Sequence, residues 1–142
     1  MNKDKIYIEK LRNSGLRPTR QRIKICEALF NKSSTFHFTI NELSKIIEKQ
    51  LNEKISLATV YNTVNAFKNK GYLKEILINS NKSYFDTNIT DHHHFFNEDT
   101  NQLIDAENHD IDSIKINKNL SNQKIKSVEV LVRVANNNQN QK

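Results

Sequence analysis

An α+β fold in two parts is predicted by three features of the chain: helical spacing of apolar residues up to residue 71, two β-prone runs directly after it, and a change in the sign of charge near residue 86. The first part, residues 1–86, reads as helices closed by a hairpin. Residues 87–91 are a hinge, residues 92–135 a small α/β unit, and residues 136–142 (NNNQNQK) a disordered tail with nothing apolar to bury.

Arg17, Arg20, Arg22 and Lys24 cluster near the start of a helix opened by Pro18, on which Ile23, Cys26 and Phe30 form an apolar stripe. Next, Thr39 and Glu42 have the spacing of a capping box, and Phe38 and Leu43 that of a hydrophobic staple. They open a helix whose apolar face is Leu43, Ile46, Ile47 and Leu51. His37 sits between Phe36 and Phe38 at the start of this helix.

A short polar turn at 52–55 leads to the most informative stretch, residues 56–71. Leu57, Val60, Val64 and Phe67 recur at steps of three and four and form a core stripe, while Ser56 is suited to an N-cap and Gly71 to the C′ position. Lys68 and Lys70 favour the negative end of the helix dipole. The opposite face carries Ala58, Thr59, Asn62, Asn65 and Asn69, amides and small groups without the usual Glu and Lys. An ordinary surface helix is one reading of that face, and a helix that meets base edges is the other.

Two helices in helix-turn-helix order, followed by runs at 73–78 and 83–86 about a turn-rich 79–82, describe a winged helix with the second helix as reader and Lys82 near the wing tip. Charge favours the nucleic-acid reading. Residues 1–86 hold 16 Lys and Arg against 8 Asp and Glu, a balance of +8, whereas residues 87–142 hold 6 against 8, a balance of −2. Attraction for phosphates is therefore confined to the helical half.

A length of 142 residues with two Gly and one Pro suits two small compact halves without a long flexible linker. No apolar run is long enough to span a membrane, so a cytoplasmic location with no membrane partner is expected. Cys26 is the single cysteine, which excludes an intramolecular disulfide and a four-cysteine zinc site within one chain. Its place on an apolar stripe makes it packing rather than a ligand.

The second half opens with DHHHFF at 91–96. In a strand, alternate side chains face opposite ways, so His92 and His94 share one face and His93 takes the other. Imidazole is a common ligand for divalent metals and for haem iron, and Asp86, Glu98, Asp99, Asp105, Glu107 and Asp112 stand on both sides to complete a coordination sphere. A solvated polar strand is the alternative. His109, in an acidic loop, reads as solvent-facing. Further strands are expected at 102–106, 113–118 and 125–134, and the alternating Val128, Val130, Val132 and Val134 call for a sheet shared between two chains.

The stretches GLRPTRQR at 15–22, SLATVYNT at 56–63, YFDTN at 84–88, DHHHFF at 91–96 and VEVLVRV at 128–134 together resemble the ferric uptake regulator (Fur) superfamily. Within it, the triple histidine is similar to the iron response regulator (Irr) branch of alphaproteobacteria. The resemblance runs from about residue 6 to residue 135 and implies a homodimeric winged-helix transcription factor and not an enzyme. Its partner would be double-stranded DNA carrying an AT-rich inverted repeat, in genes of iron and haem homeostasis, with DNA released when haem or iron is plentiful. A Fur-type regulator that senses Fe, Mn or Zn directly and binds DNA when metal-loaded is the alternative.

Residue by residue, the resemblance places DNA contacts at Arg17 and Tyr61, to which Arg20, Thr59, Asn62, Asn65 and Lys82 are added from the exposed basic and amide faces. It places metal ligands at His37, Asp86, His92, His94 and Asp105, and haem ligands at His92, His93 and His94. The spacing from Asp86 to His94 is one residue shorter than in typical Fur, which leaves the pairing of individual ligands open. Asn97 and Thr100 stand where zinc-stapled members carry the first Cys-x-x-Cys pair, so no structural four-cysteine zinc is expected.

Overall fold

The computed structural model describes residues 3–137. The chain divides into two compact units, Met1–Ile89 and Thr90–Lys142. Among the described residues no helix is long and apolar enough to cross a membrane.

The first unit contains α1 (Lys3–Asn13), α2 (Arg20–Phe30), β1 (His37–Phe38), α3 (Ile40–Leu51), α4 (Leu57–Lys70), β2 (Lys74–Asn79) and β3 (Lys82–Asp86). Sequence patterning does not predict α1. Its buried residues Tyr7 and Leu11 are four apart and so share a face, but such a pair is weak as a periodic signal. α2 is capped by Thr19, whose side chain accepts from the Arg22 backbone N–H at 3.3 Å, so Pro18 precedes the cap instead of opening the first turn.

α3 begins as expected, with Thr39 Oγ1 accepting from the Glu42 N–H at 3.2 Å and both staple residues, Phe38 and Leu43, buried. The second half of the capping box differs. The Thr39 hydroxyl donates to the Glu42 carboxylate at 3.1 Å. α4 is capped by Ser56, which accepts from the Thr59 N–H at 3.0 Å, and ends at Gly71 with φ of 90°, a left-handed conformation that glycine adopts without penalty.

Val60, Val64 and Phe67 of α4 are fully buried, and they meet Leu11, Ile25, Cys26, Leu43 and Ile47 in one core. Phe67 packs edge-on against Phe30 at 5.4 Å between ring centroids, within the range such pairs prefer. The stripe differs from the sequence expectation at one end: Leu57 is 52% exposed, and Thr63 takes a buried place instead, its hydroxyl satisfied by the Thr59 carbonyl at 2.8 Å. A residue in the first turn projects beyond the helices that cover the later turns.

The β2–β3 hairpin turns where expected, and Asn79 Oδ1 accepts from the Asn81 N–H at 2.8 Å to fix the turn. His37 lies in β1, an edge strand paired antiparallel with β3 through His37–Asp86 and Phe38–Phe85, and not at a helix start. A two-residue strand has no periodicity to read.

The second unit is a three-stranded sheet of order β5-β4-β6, from β4 (His94–Asn97), β5 (Gln102–Asp105) and β6 (Leu131–Val134). β4 and β5 form a hairpin pairing His94 with Asp105 and Phe96 with Leu103. β6 runs parallel to β4, with His94 opposite Leu131. A parallel pair needs a long crossover, and residues 106–130 supply it. The strand expected at 113–118 is absent and the one at 125–134 shrinks to four residues, because this crossover runs exposed with no neighbouring strand to pair. The described residues of this unit contain no helix. Asn136, placed in the tail by composition, donates its N–H to Asp99 at 2.7 Å and accepts from the Asn97 side chain at 2.8 Å, and the rest of that tail from residue 138 lies outside the described residues.

Candidate metal centre and nucleic-acid interface

β4 and β5 carry the ligand cluster. The hairpin register sets His94 against Asp105, and His94 Nε2 lies 3.1 Å from Asp105 Oδ1. His92 leads into β4 and points to the same side, as strand alternation requires, with its Nε2 3.5 Å from the same carboxylate oxygen and its ring 4.3 Å from that of His94. His92, His94 and Asp105 each offer a ligand atom, all within 4.8 Å of one another. His94 is buried, His92 half-buried and Asp105 exposed, so the group is open on one side.

The imidazole of His92 is oriented through its other nitrogen. Nδ1 lies 2.7 Å from the Thr90 carbonyl, and a carbonyl can only accept, so Nδ1 carries the proton and Nε2 presents a lone pair toward the cluster. His93 faces the other way, and its Nδ1 accepts from the Val130 N–H at 2.9 Å. That bond leaves the proton of neutral His93 on Nε2. Two imidazole Nε2 atoms beside one carboxylate oxygen suit a borderline divalent ion such as Zn, Mn or Fe.

In the first unit Asp86 is buried, accepts from the Asn88 N–H at 2.9 Å, and is paired in register with half-buried His37, whose ring meets that of Tyr84 edge-on at 6.3 Å. These two expected ligands thus stand on adjacent strands. Glu98, Asp99, Glu107 and Asp112 are not buried and do not join the three-residue cluster, and His109 is exposed beside Glu107 and Asp110.

The residues expected to meet DNA lie on the same unit as the basic charge. Tyr61 is 50% exposed on α4, Asn62 is exposed, and Asn65 is half-buried, as is Thr59 in the first turn. Arg17 is exposed in the loop before α2, and Arg20 opens α2 with its guanidinium paired to Glu53. Lys82 begins β3, its ammonium 5.4 Å from the Tyr84 ring centroid. Asn13, Ser14 and Asn69 line a cleft with Asn62 and Asn65, so α1 contributes to the amide face, which sequence patterning assigns to α4 alone.

Cys26 is buried and its thiol is pushed up to about 12 by burial, a weak opposing effect coming from Lys10. Packing, as expected, is its role. A thiol this hard to ionise is a poor ligand and a poor nucleophile.

A winged helix followed by a small sheet that gathers imidazoles defines a class of two-unit winged-helix regulators. The chain belongs to the ferric uptake regulator family, whose model matches residues 13–134. It is 32% identical over 108 residues to the peroxide operon regulator of Bacillus subtilis strain 168, covering 76% of this chain and 72% of the relative. It is 35% identical over 98 residues to the peroxide-responsive repressor PerR of Staphylococcus aureus strain Mu50, covering 69% of this chain and 64% of that one.

Solved structures share the fold at lower identity. The ferric uptake regulator of Helicobacter pylori, described as having three functional metal binding sites, superimposes with a TM-score of 0.68 at 15% identity over 98% of this chain and 95% of that one. The Campylobacter jejuni peroxide stress regulator gives 0.59 at 20% identity over 98% and 99%. The superfamily expectation is thereby met, while the Bacillus and Staphylococcus relatives, both above 30% identity, are named for peroxide and not for haem.

Proposed function

We propose that the protein is a metal-responsive, sequence-specific DNA-binding transcriptional regulator that acts as a homodimer in the cytoplasm. The convergence of His92, His94 and Asp105 on one side of a sheet carries the metal part of this reading. His37 and Asp86, adjacent on β1 and β3, are the further ligands of the proposed set, and metal binding biases the equilibrium between DNA-competent and incompetent arrangements. Arg17, Arg20, Thr59, Tyr61, Asn62, Asn65 and Lys82 supply the contacts to an AT-rich inverted repeat. A homodimer is supported by the uncovered apolar side chains of the second unit, among them Ile104, Ile114, Ile116, Leu120 and Ile125.

Peroxide enters this reading through the names of the relatives, and haem through the triple histidine. Geometry favours a single ion over a porphyrin: three ligand atoms within 4.8 Å converge on a point, and the hydrogen bond to His93 Nδ1 places that ring's proton on the nitrogen that would have to bind iron. The deciding experiment is calorimetric titration of the purified protein with Mn(II) and Zn(II), with Fe(II) under anaerobic conditions, and with haemin followed at the Soret band. About one ion per chain is expected, lost in His92→Ala and His94→Ala. Haem binding that displaces the ion would transfer the sensing role to haem, and binding of neither ends the proposal. Addition of hydrogen peroxide to the iron-loaded and manganese-loaded forms, with DNA binding as readout, separates a peroxide response from a metal response.

A further inference from the structure

Arg17, Arg20, Arg22, Glu53 and Thr59 line one cleft of the first unit, where the loop before α2 meets the start of α4. Three guanidinium side chains make it strongly basic, and Glu53 is the one acid on its wall. Glu53 is held there by the α3–α4 turn: Asn52 takes a left-handed conformation at φ of 53°, and Gln21 Nε2 ties the turn to α2 by donating to the Lys54 carbonyl at 3.2 Å. Its carboxylate pairs with Nη1 of Arg20. Arg22 donates from Nη1 to the Arg17 carbonyl at 3.0 Å, and its Nε is a buried polar atom without a hydrogen-bond partner.

We propose that this cleft receives a phosphate of the DNA backbone and that Glu53 is its built-in competitor, occupying Arg20 in the free protein and giving way when a phosphodiester enters. The inference rests on the DNA-binding reading above. Carboxylate and phosphate offer a guanidinium similar oxygen acceptors, so the exchange keeps Arg20 paired in both states. The pair is also easily opened, since the side chains of Arg20 and Glu53 are 67% and 38% exposed and ion pairs in water are weak. Glu53 therefore lowers the sequence-independent part of the affinity on every duplex alike, and leaves base contacts from α4 unchanged.

The test is a double-mutant cycle on the full chain with Mn(II) present, measuring affinity for a mixed-sequence 30-base-pair duplex at several salt concentrations. Glu53→Gln is expected to tighten binding by roughly two- to fivefold and to steepen the salt dependence by about one counterion. Arg20→Gln is expected to weaken binding, and in that background Glu53→Gln should have almost no effect. Equal tightening by Glu53→Gln with and without Arg20 would mean a general charge effect and would overturn the proposal, as would no change on introducing Glu53→Gln into the otherwise wild-type chain. Failure of the wild type to bind any duplex overturns the DNA-binding reading itself, a result distinct from normal binding that is indifferent to Glu53.

Discussion

The three adjacent histidines differ in what their ring nitrogens do. His92 and His94 turn Nε2 toward Asp105, whereas His93 is used by the backbone as an acceptor for Val130 N–H. His93→Ala should therefore lower stability by about 1–2 kcal/mol, the usual penalty for stranding a part-buried donor, while Mn(II) affinity stays within about twofold of wild type. His94→Ala should do the reverse and remove the metal. Chemical denaturation and Mn(II) titration of both variants check this pair of outcomes, and equal loss of metal in the two would contradict the assignment. Cys26 gives a second test at this scale. Its folded pKa is raised from 9.0 to about 12, so the neutral thiol is the form the fold favours. Its contribution to stability is complete below pH 9 and is lost as pH rises toward 12, because the unfolded chain then binds fewer protons. Thiol reagents at pH 8 should label Cys26 at the rate of opening, and rapid labelling of the native protein would show that the side chain is not buried.

Among the elements, α4 is the most legible in the sequence, and it shows both why patterning works and where it stops. Val60, Val64 and Phe67 repeat at helical spacing and are all buried, and Ser56 and Gly71 cap the ends as their chemistry dictates. Leu57 obeys the same spacing yet is exposed, because periodicity assigns a face but not the extent of the elements that cover it. Phe67→Ala should then cost about 3–5 kcal/mol and Leu57→Ala less than about 0.5 kcal/mol, measured by urea unfolding. Gly71→Ala should cost about 1 kcal/mol, since φ of 90° strains any residue with a Cβ. Two-residue β1 and the parallel pairing of β4 with β6 are not legible, for they depend on contacts between residues far apart: His37 with Asp86, and His94 with Leu131. The candidate metal centre is half legible. Alternation puts His92 and His94 together, but choosing Asp105 from several nearby acids by residue types alone needs the resemblance, and the hairpin register is what brings it to them.

At the scale of the whole molecule, charge differs in sign between the units. The first carries the +8 balance and a closed core, and the second carries the −2 balance and uncovered isoleucines. DNA affinity should fall by orders of magnitude between low and physiological salt if several of these cations touch phosphates, as fluorescence anisotropy against salt will report. Light scattering should give a dimer, and substituting Ile104 and Ile125 by Ser should shift it toward monomer. The most direct measurement compares wild type with His94→Ala for binding to a duplex selected from a random pool, with and without Mn(II). The account predicts that Mn(II) changes wild-type affinity at least about tenfold and leaves His94→Ala at the metal-free level, a difference of about 1.4 kcal/mol or more. An equal change in both proteins, or none in either, would contradict it.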